Sequence, residues 1–171
     1  MARHANAWAW LGGLTVLGVL HAMACALPEL ASVFVRPSAW LAAALLRVPM
    51  GPGAEPVLGP PDCPMQVVAS CGGWDFFCLL AALLVGRALW AQDGAAIRRS
   101  GRVAAALPAA ALVTVVTNAG RLAAVFAGGI LVLPHLPPSA AAAFHTGLGL
   151  AAFLPALLLT WIVWDRRVCH A

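Results

Sequence analysis

Charge is scarce in this chain, and lysine is absent. Charged residues make up 9% of its 171 positions, against about 25% in a soluble globular domain. All ten cations are arginine. With 63% hydrophobic residues and a mean hydropathy of +0.91, the chain has too few polar groups to cover a folded surface facing water. An ordinary soluble domain is excluded, and the expected solvent is the lipid bilayer. No aromatic-basic interleaving is present, so no nucleic acid is expected as a partner, and the net charge of +4 is read as a report on topology. None of the five cysteines (Cys25, Cys63, Cys71, Cys78 and Cys169) sits in a C-x-x-C pair, which removes the support for a zinc ribbon or a dithiol redox motif. A Cys63–Cys71 disulfide outside the cell has nothing further in its favour. No internal repeat is visible, and the length suits a single membrane domain, 1–171.

What is present is a series of apolar runs. Their lengths predict an all-α integral membrane protein, a bundle of about four transmembrane helices with spans near 8–27, 71–90, 103–127 and 139–164. Ser38 to Val48 is apolar but too short to span, and is expected to be an interfacial or re-entrant helix. Residues 49–70 form the expected outer loop. Its stretch from Met50 to Met65 is rich in Pro and Gly, and Gln66 to Ser70 has strand character. Ala91 to Arg102 is a polar, basic connection; Gly128-Gly129 is an expected helix break; residues 134–138 are a Pro-rich turn. The first run also fits a signal peptide, since Arg3 precedes it and Ala22-Met23-Ala24-Cys25 is rich in small residues, but it is longer than the usual h-region of about 7–15 residues.

Arginine sets the orientation. Arg3, the Arg98/Arg99/Arg102 cluster and Arg166/Arg167 are expected on the cytoplasmic side. Four spans satisfy this with both termini cytoplasmic and the 49–70 loop outside. Trp8, Trp10, Trp90, Trp161 and Trp164 then fall at the inner interface, with Trp40 and Trp74 at the outer one. Arg87, one turn before Trp90, can snorkel inward.

Depth measured from the cytoplasmic ends brings three polar residues to one level. Cys71 lies 19 residues from Trp90, Arg121 18 from Val103, and His145 19 from Trp164. Each separation is about 27–28 Å of helix at 1.5 Å per residue, close to the full thickness of a hydrocarbon core of about 30 Å. Each residue alone has a plain structural explanation: Cys71 as a small apolar packer, Arg121 as a snorkelling cation, His145 as an interfacial polar residue. Their shared depth favours a site near the outer boundary. Cys25, Cys78 and Cys169 are read as packing residues, and His135 as a solvated loop residue.

The chemistry of the group is that of thiol catalysis. Cys71 precedes Gly72-Gly73 at the start of an apolar run, where the positive end of a helix suits an attacking sulfur. The two glycines permit close backbone approach, and nearby N–H groups are candidate oxyanion donors. Histidine is the usual base for such a thiol. Arg121 keeps its proton, so it can stabilise an anion or a substrate carboxylate but cannot act as base. Thr114, Thr117, Asn118 and Arg121 follow i, i+3, i+4, i+7, one polar stripe on one helix face.

At this point the sequence resembles the exosortase/archaeosortase family of membrane-embedded sorting enzymes. That family is marked by a cysteine in a Cys-small-Gly motif, then N-x-x-R, then H-x-x-x-G. Ser70-Cys71-Gly72-Gly73, Asn118-Ala119-Gly120-Arg121 and His145-Thr146-Gly147-Leu148-Gly149 stand in those places, in that order. The resemblance spans about Ser38 to Trp164, and the small size is similar to that of compact members such as exosortase K. Gly72 stands where the family more often has Ser or Ala, and Leu122 where it commonly has Ile; these departures leave subtype and substrate motif open.

The resemblance implies a cysteine peptidase or transpeptidase in the cytoplasmic (inner) membrane, with its site facing the periplasm or cell exterior. Its partners would be exported proteins bearing a C-terminal motif, a transmembrane helix and a basic tail. Cys71, Arg121 and His145 would be catalytic, with Asn118, Gly72, Gly73 and Gly149 supporting or binding substrate. The family uses no metal or organic cofactor, and none is expected here. Two other classes stay open: a non-catalytic membrane subunit, in which the polar residues only join helices, and a membrane thiol-disulfide oxidoreductase, which would need cysteines within reach of each other.

Overall fold

Proline and left-handed backbone set where the helices stop. The computed structural model describes residues 2–53, 55–90 and 96–169. Helix α1 (Ala2–Ala26) closes with the Leu27 N–H on Met23 O at 2.8 Å, and Pro28, which has no N–H to continue the ladder, opens a 3-10 turn over Pro28–Ser32. Helix α2 (Val35–Leu46) ends where Arg47 adopts φ 56°, the Val48 N–H reaches back to Ala43 O at 3.1 Å, and Pro49 follows. Two short strands, β1 (Val57–Leu58) and β2 (Met65–Gln66), pair antiparallel, with Val57 opposite Gln66 and Leu58 opposite Met65. After a 3-10 turn at Ala69–Cys71 come α3 (Trp74–Trp90) and α4 (Ala96–Leu131), then a 3-10 turn at Leu133–His135 and α5 (Pro138–Cys169). α5 begins on proline, whose missing N–H would have had no partner in the first turn.

Four sequence expectations change. The strand character at Gln66–Ser70 reduces to β2: the Val67 N–H turns to Pro56 O at 2.9 Å, and the Cys71 N–H closes a turn on Val68 O at 2.8 Å. α3 starts at Trp74 rather than Cys71, because Gly73 takes φ 78° and interrupts the helical path there. The expected break at Gly128-Gly129 does not occur. α4 runs through both, the Val132 N–H bonds Gly128 O at 2.8 Å, and the bare Gly128 backbone receives the Phe144 ring, which a Cβ there would strike. The polar connection narrows too: from Ala96 onward it is already α4, while 91–95 lie outside the described residues.

Among the described residues, five helical stretches are long and apolar enough to cross a membrane: Trp8–Ala26, Pro28–Leu46, Ala69–Trp90, Arg99–Leu131 and Ser139–Arg167. The second overlaps Ser38 to Val48, read from sequence as too short to span, and begins ten residues earlier, at Pro28. Its α-helical part, α2, has 12 residues, about 18 Å of rise, and the 3-10 turn before it completes the run.

The chain divides into two compact units. One comprises Met1–Pro28, Asp75–Thr114 and Leu157–Ala171. In it α1 and α3 approach closely at Gly13 and Gly86, where a Cβ on Gly13 would lie 2.8 Å from Ala82 O and 3.4 Å from Gly86 Cα. Trp10 and Trp90 meet edge to face at 5.7 Å, and Arg87 of α3 pairs with Asp165 of α5.

The other unit comprises Glu29–Trp74 and Val115–Ala156. Its core joins the inner face of α2 (Val35, Ala39, Ala42, Ala43), the hairpin (Leu58, Val67) and α4 (Ala119, Leu122, Phe126), with Met65 and Cys71 packed against it. Gly59 is obligatory in that core. Its φ is +98°, and a Cβ would lie 2.6 Å from Cys63 O and 2.7 Å from the Phe126 ring.

Candidate active site

The three sequence motifs all fall in the second unit, and two contacts link them. Cys71 ends the 3-10 turn, half-buried against the core, as a free thiol. Its carbonyl accepts a hydrogen bond from Asn118 Nδ2 at 2.6 Å. Asn118 is fully buried on α4, and its Oδ1 has no hydrogen-bond partner among the described residues. The first motif is therefore tied to the second through the Cys71 backbone.

Arg121 follows Asn118 by one turn. Its Nε lies 3.6 Å from where a Cβ on Gly149 would sit, and its Cζ stands 5.8 Å from the centroid of the Phe153 ring, a cation–π distance. The second motif thus meets the third at the glycine of H-x-x-x-G. Nε is buried and has no hydrogen-bond partner among the described residues, and a donor left unmet in this way costs stability. His145, Gly149 and Phe153 repeat every four residues and so share one face of α5.

α4 and α5 run antiparallel here, with the Arg121 side chain reaching Gly149 and the Phe144 ring over Gly128. Helical side chains lean toward the N-terminus, which carries the Arg121 guanidinium along α5 toward Phe153.

His145 is exposed and packs against Phe144 with ring centroids 6.3 Å apart. It lines a cavity of about 260 Å³ together with Cys63 and Pro64 of the hairpin loop, Met65 of β2, and Val125, Phe126, Gly129, Ile130 and Leu133. The thiol on that wall is Cys63, not Cys71. The expected oxyanion donors change as well: the Cys71 N–H bonds Val68 O and the Gly72 N–H bonds Ala69 O at 2.9 Å, so both are engaged in the turn. Gly72 is buried and Gly73 serves as the left-handed link into α3.

No family model, curated protein or solved structure matches the chain. The site is therefore read from its own geometry. Among the described residues, no group of three or more His, Cys, Asp or Glu side chains is gathered closely enough to hold a metal ion.

Sequence reasoning missed Phe153, Cys63 and the cavity wall. Phe153 had a signal, since it lies eight residues after His145 on the same face. Cys63 had none, because its position depends on how the hairpin loop folds back onto α4.

Proposed function

We propose that this protein is a multi-pass membrane cysteine peptidase or transpeptidase of the exosortase/archaeosortase type. In this reading α1, α3, α4 and α5 cross the cytoplasmic membrane with both termini inside, α2 lies at the outer interface, and the site opens to the exterior. The observation that supports it most is the pair of contacts joining the motifs: Asn118 on the Cys71 carbonyl and Arg121 against Gly149. Three short motifs scattered over 79 residues, Cys71 to Gly149, meet in pairs inside one unit.

The chemistry follows from the groups. Cys71 Sγ attacks the scissile carbonyl carbon of an exported substrate while His145 takes the thiol proton. The charge that develops on the carbonyl oxygen is met by Arg121, which suits a guanidinium with an unpaired N–H in an apolar setting. Collapse breaks the C–N bond, His145 returns its proton to the leaving amine, and a thioester remains on Cys71. An incoming amine or water then attacks the thioester, His145 accepts its proton, and the thiol is restored. Asn118 holds the Cys71 backbone in place throughout.

The test is conversion of a tagged precursor carrying a C-terminal motif, transmembrane helix and basic tail, with enzyme abundance measured in the same membranes. Cys71→Ala should remove processing, a loss of at least about 10³-fold, and Cys25→Ser should behave as wild type. Wild-type processing by Cys71→Ala would overturn the reading. The cavity shared by Cys63 and His145 favours one rival within the same chemistry. Loss of processing in Cys63→Ser together with full activity in Cys71→Ala would move the nucleophile to Cys63.

A further inference from the structure

The cavity beside His145 has a composition that the peptidase reading does not itself explain. Its walls are Pro64, Met65, Val125, Phe126, Ile130 and Leu133, and no arginine, aspartate or glutamate among the described residues lines it. A charged side chain entering it would give up its hydration with no counter-charge in return, whereas an apolar one would gain by leaving water. Gly129 forms part of the wall, and a Cβ built there meets nothing within 4 Å. The glycine is therefore not required by close helix packing at that point; its bare backbone widens the cavity. At about 260 Å³, the space is below the range of about 300–1,000 Å³ usual for small-molecule sites, and suits a single side chain better than a cofactor.

We infer that this cavity is a specificity pocket that receives one uncharged apolar side chain of the polypeptide substrate, presented next to His145. The inference rests on the reading of His145 as the catalytic base. Cys63 and Pro64 close one side of the pocket from the hairpin loop, and α4 supplies the other side through Val125, Phe126 and Gly129. Selection is by exclusion of charge and by size, with Gly129 setting the size limit. A larger residue at 129 should fill the pocket without unfolding α4, because glycine is a poorer helix former than leucine.

Cys63 supplies a reporter on the wall itself. The full-length Cys71→Ala protein in detergent is treated with a maleimide, and alkylation of the Cys63 peptide is followed by mass spectrometry. This is done with the amides acetyl-Ala-Xaa-Ala, where Xaa is Leu, Phe, Asp or Lys. The Leu and Phe peptides should slow Cys63 alkylation, by about fourfold at three times their dissociation constant. The Asp and Lys peptides should leave the rate unchanged. Gly129→Leu should abolish protection by the Phe peptide. Equal protection by all four peptides, protection by none, or full Phe protection in Gly129→Leu would overturn the pocket. The outcome separates from that of the peptidase reading: protection without precursor cleavage by the wild type supports the pocket and counts against the enzyme, and cleavage without protection does the reverse.

Discussion

Arg87 and Arg121 are both partly buried arginines on apolar helices, and their surroundings are opposite. Arg87 of α3, with its side chain 13% exposed, is paired with the Asp165 carboxylate of α5. Arg121 of α4 has an aromatic ring and a glycine for neighbours, and its buried Nε has no hydrogen-bond partner among the described residues. A paired arginine contributes by holding helices together. A buried donor without an acceptor costs stability, and Arg121 Nε is such a donor, one that an anion could meet. Fully buried Asn118, with its Oδ1 unpartnered one turn before Arg121, belongs to the same region. Position along an apolar helix is thus not what separates these two arginines; their neighbours are.

Removing Arg121 should break that comparison most sharply. Arg121→Ala should slow precursor processing by about 10²–10³-fold, the usual loss for one electrostatic contact to a transition state. Arg121→Lys should remain at least about tenfold slow, since an ammonium offers a point charge in place of a planar fork. Arg36→Lys is the control and should be neutral. Wild-type processing by Arg121→Lys at equal abundance would place Arg121 with Arg87, as an anchor.

Asn118→Ala comes next. It removes one hydrogen bond to the Cys71 carbonyl, worth about 0.5–1.5 kcal/mol, so processing should fall by about three- to tenfold through misplacement of the sulfur. A loss of abundance with unchanged rate per molecule would make the contact purely structural.

The Arg87–Asp165 pair should respond in stability alone. Asp165→Ala removes this carboxylate from Arg87, and because Asp165 is 42% exposed the loss should be about 1–2 kcal/mol, below the 3–5 kcal/mol of a fully buried pair. The double change Arg87→Leu with Asp165→Leu should recover most of it. Thermal unfolding in detergent reads the first effect, and processing per molecule should not move. A drop in rate at equal abundance would contradict the division of roles between the two arginines.

Gly149→Ala should do least. Its Cβ would lie 3.6 Å from Arg121 Nε, an ordinary contact, so processing and stability should stay near wild type. Gly149→Phe should displace the guanidinium and approach the Arg121→Lys rate. A strong defect in Gly149→Ala would mean that the glycine does more than leave room for Arg121.

Composition and pattern already establish a largely helical protein with long apolar helices, because apolar runs of spanning length leave a chain few other ways to bury its backbone hydrogen bonds. The prolines at 28, 49 and 138 stand at helix ends, where a missing N–H costs nothing, while Pro108 and Pro155 lie inside α4 and α5, so proline alone does not fix a boundary. The motif residues and their order are equally visible in one dimension. Contacts made across elements are not. Equal residue counts along separate helices say nothing of which side chains touch: the antiparallel register of α4 on α5 brings Phe144 over Gly128 and the Arg121 side chain to Gly149. The link from Asn118 to the Cys71 carbonyl, the Phe153 ring beneath Arg121, and Cys63 on the cavity wall with His145 depend on how side chains from separate segments interlock. Local propensity carries no record of that, because packing is decided by whichever surfaces happen to meet.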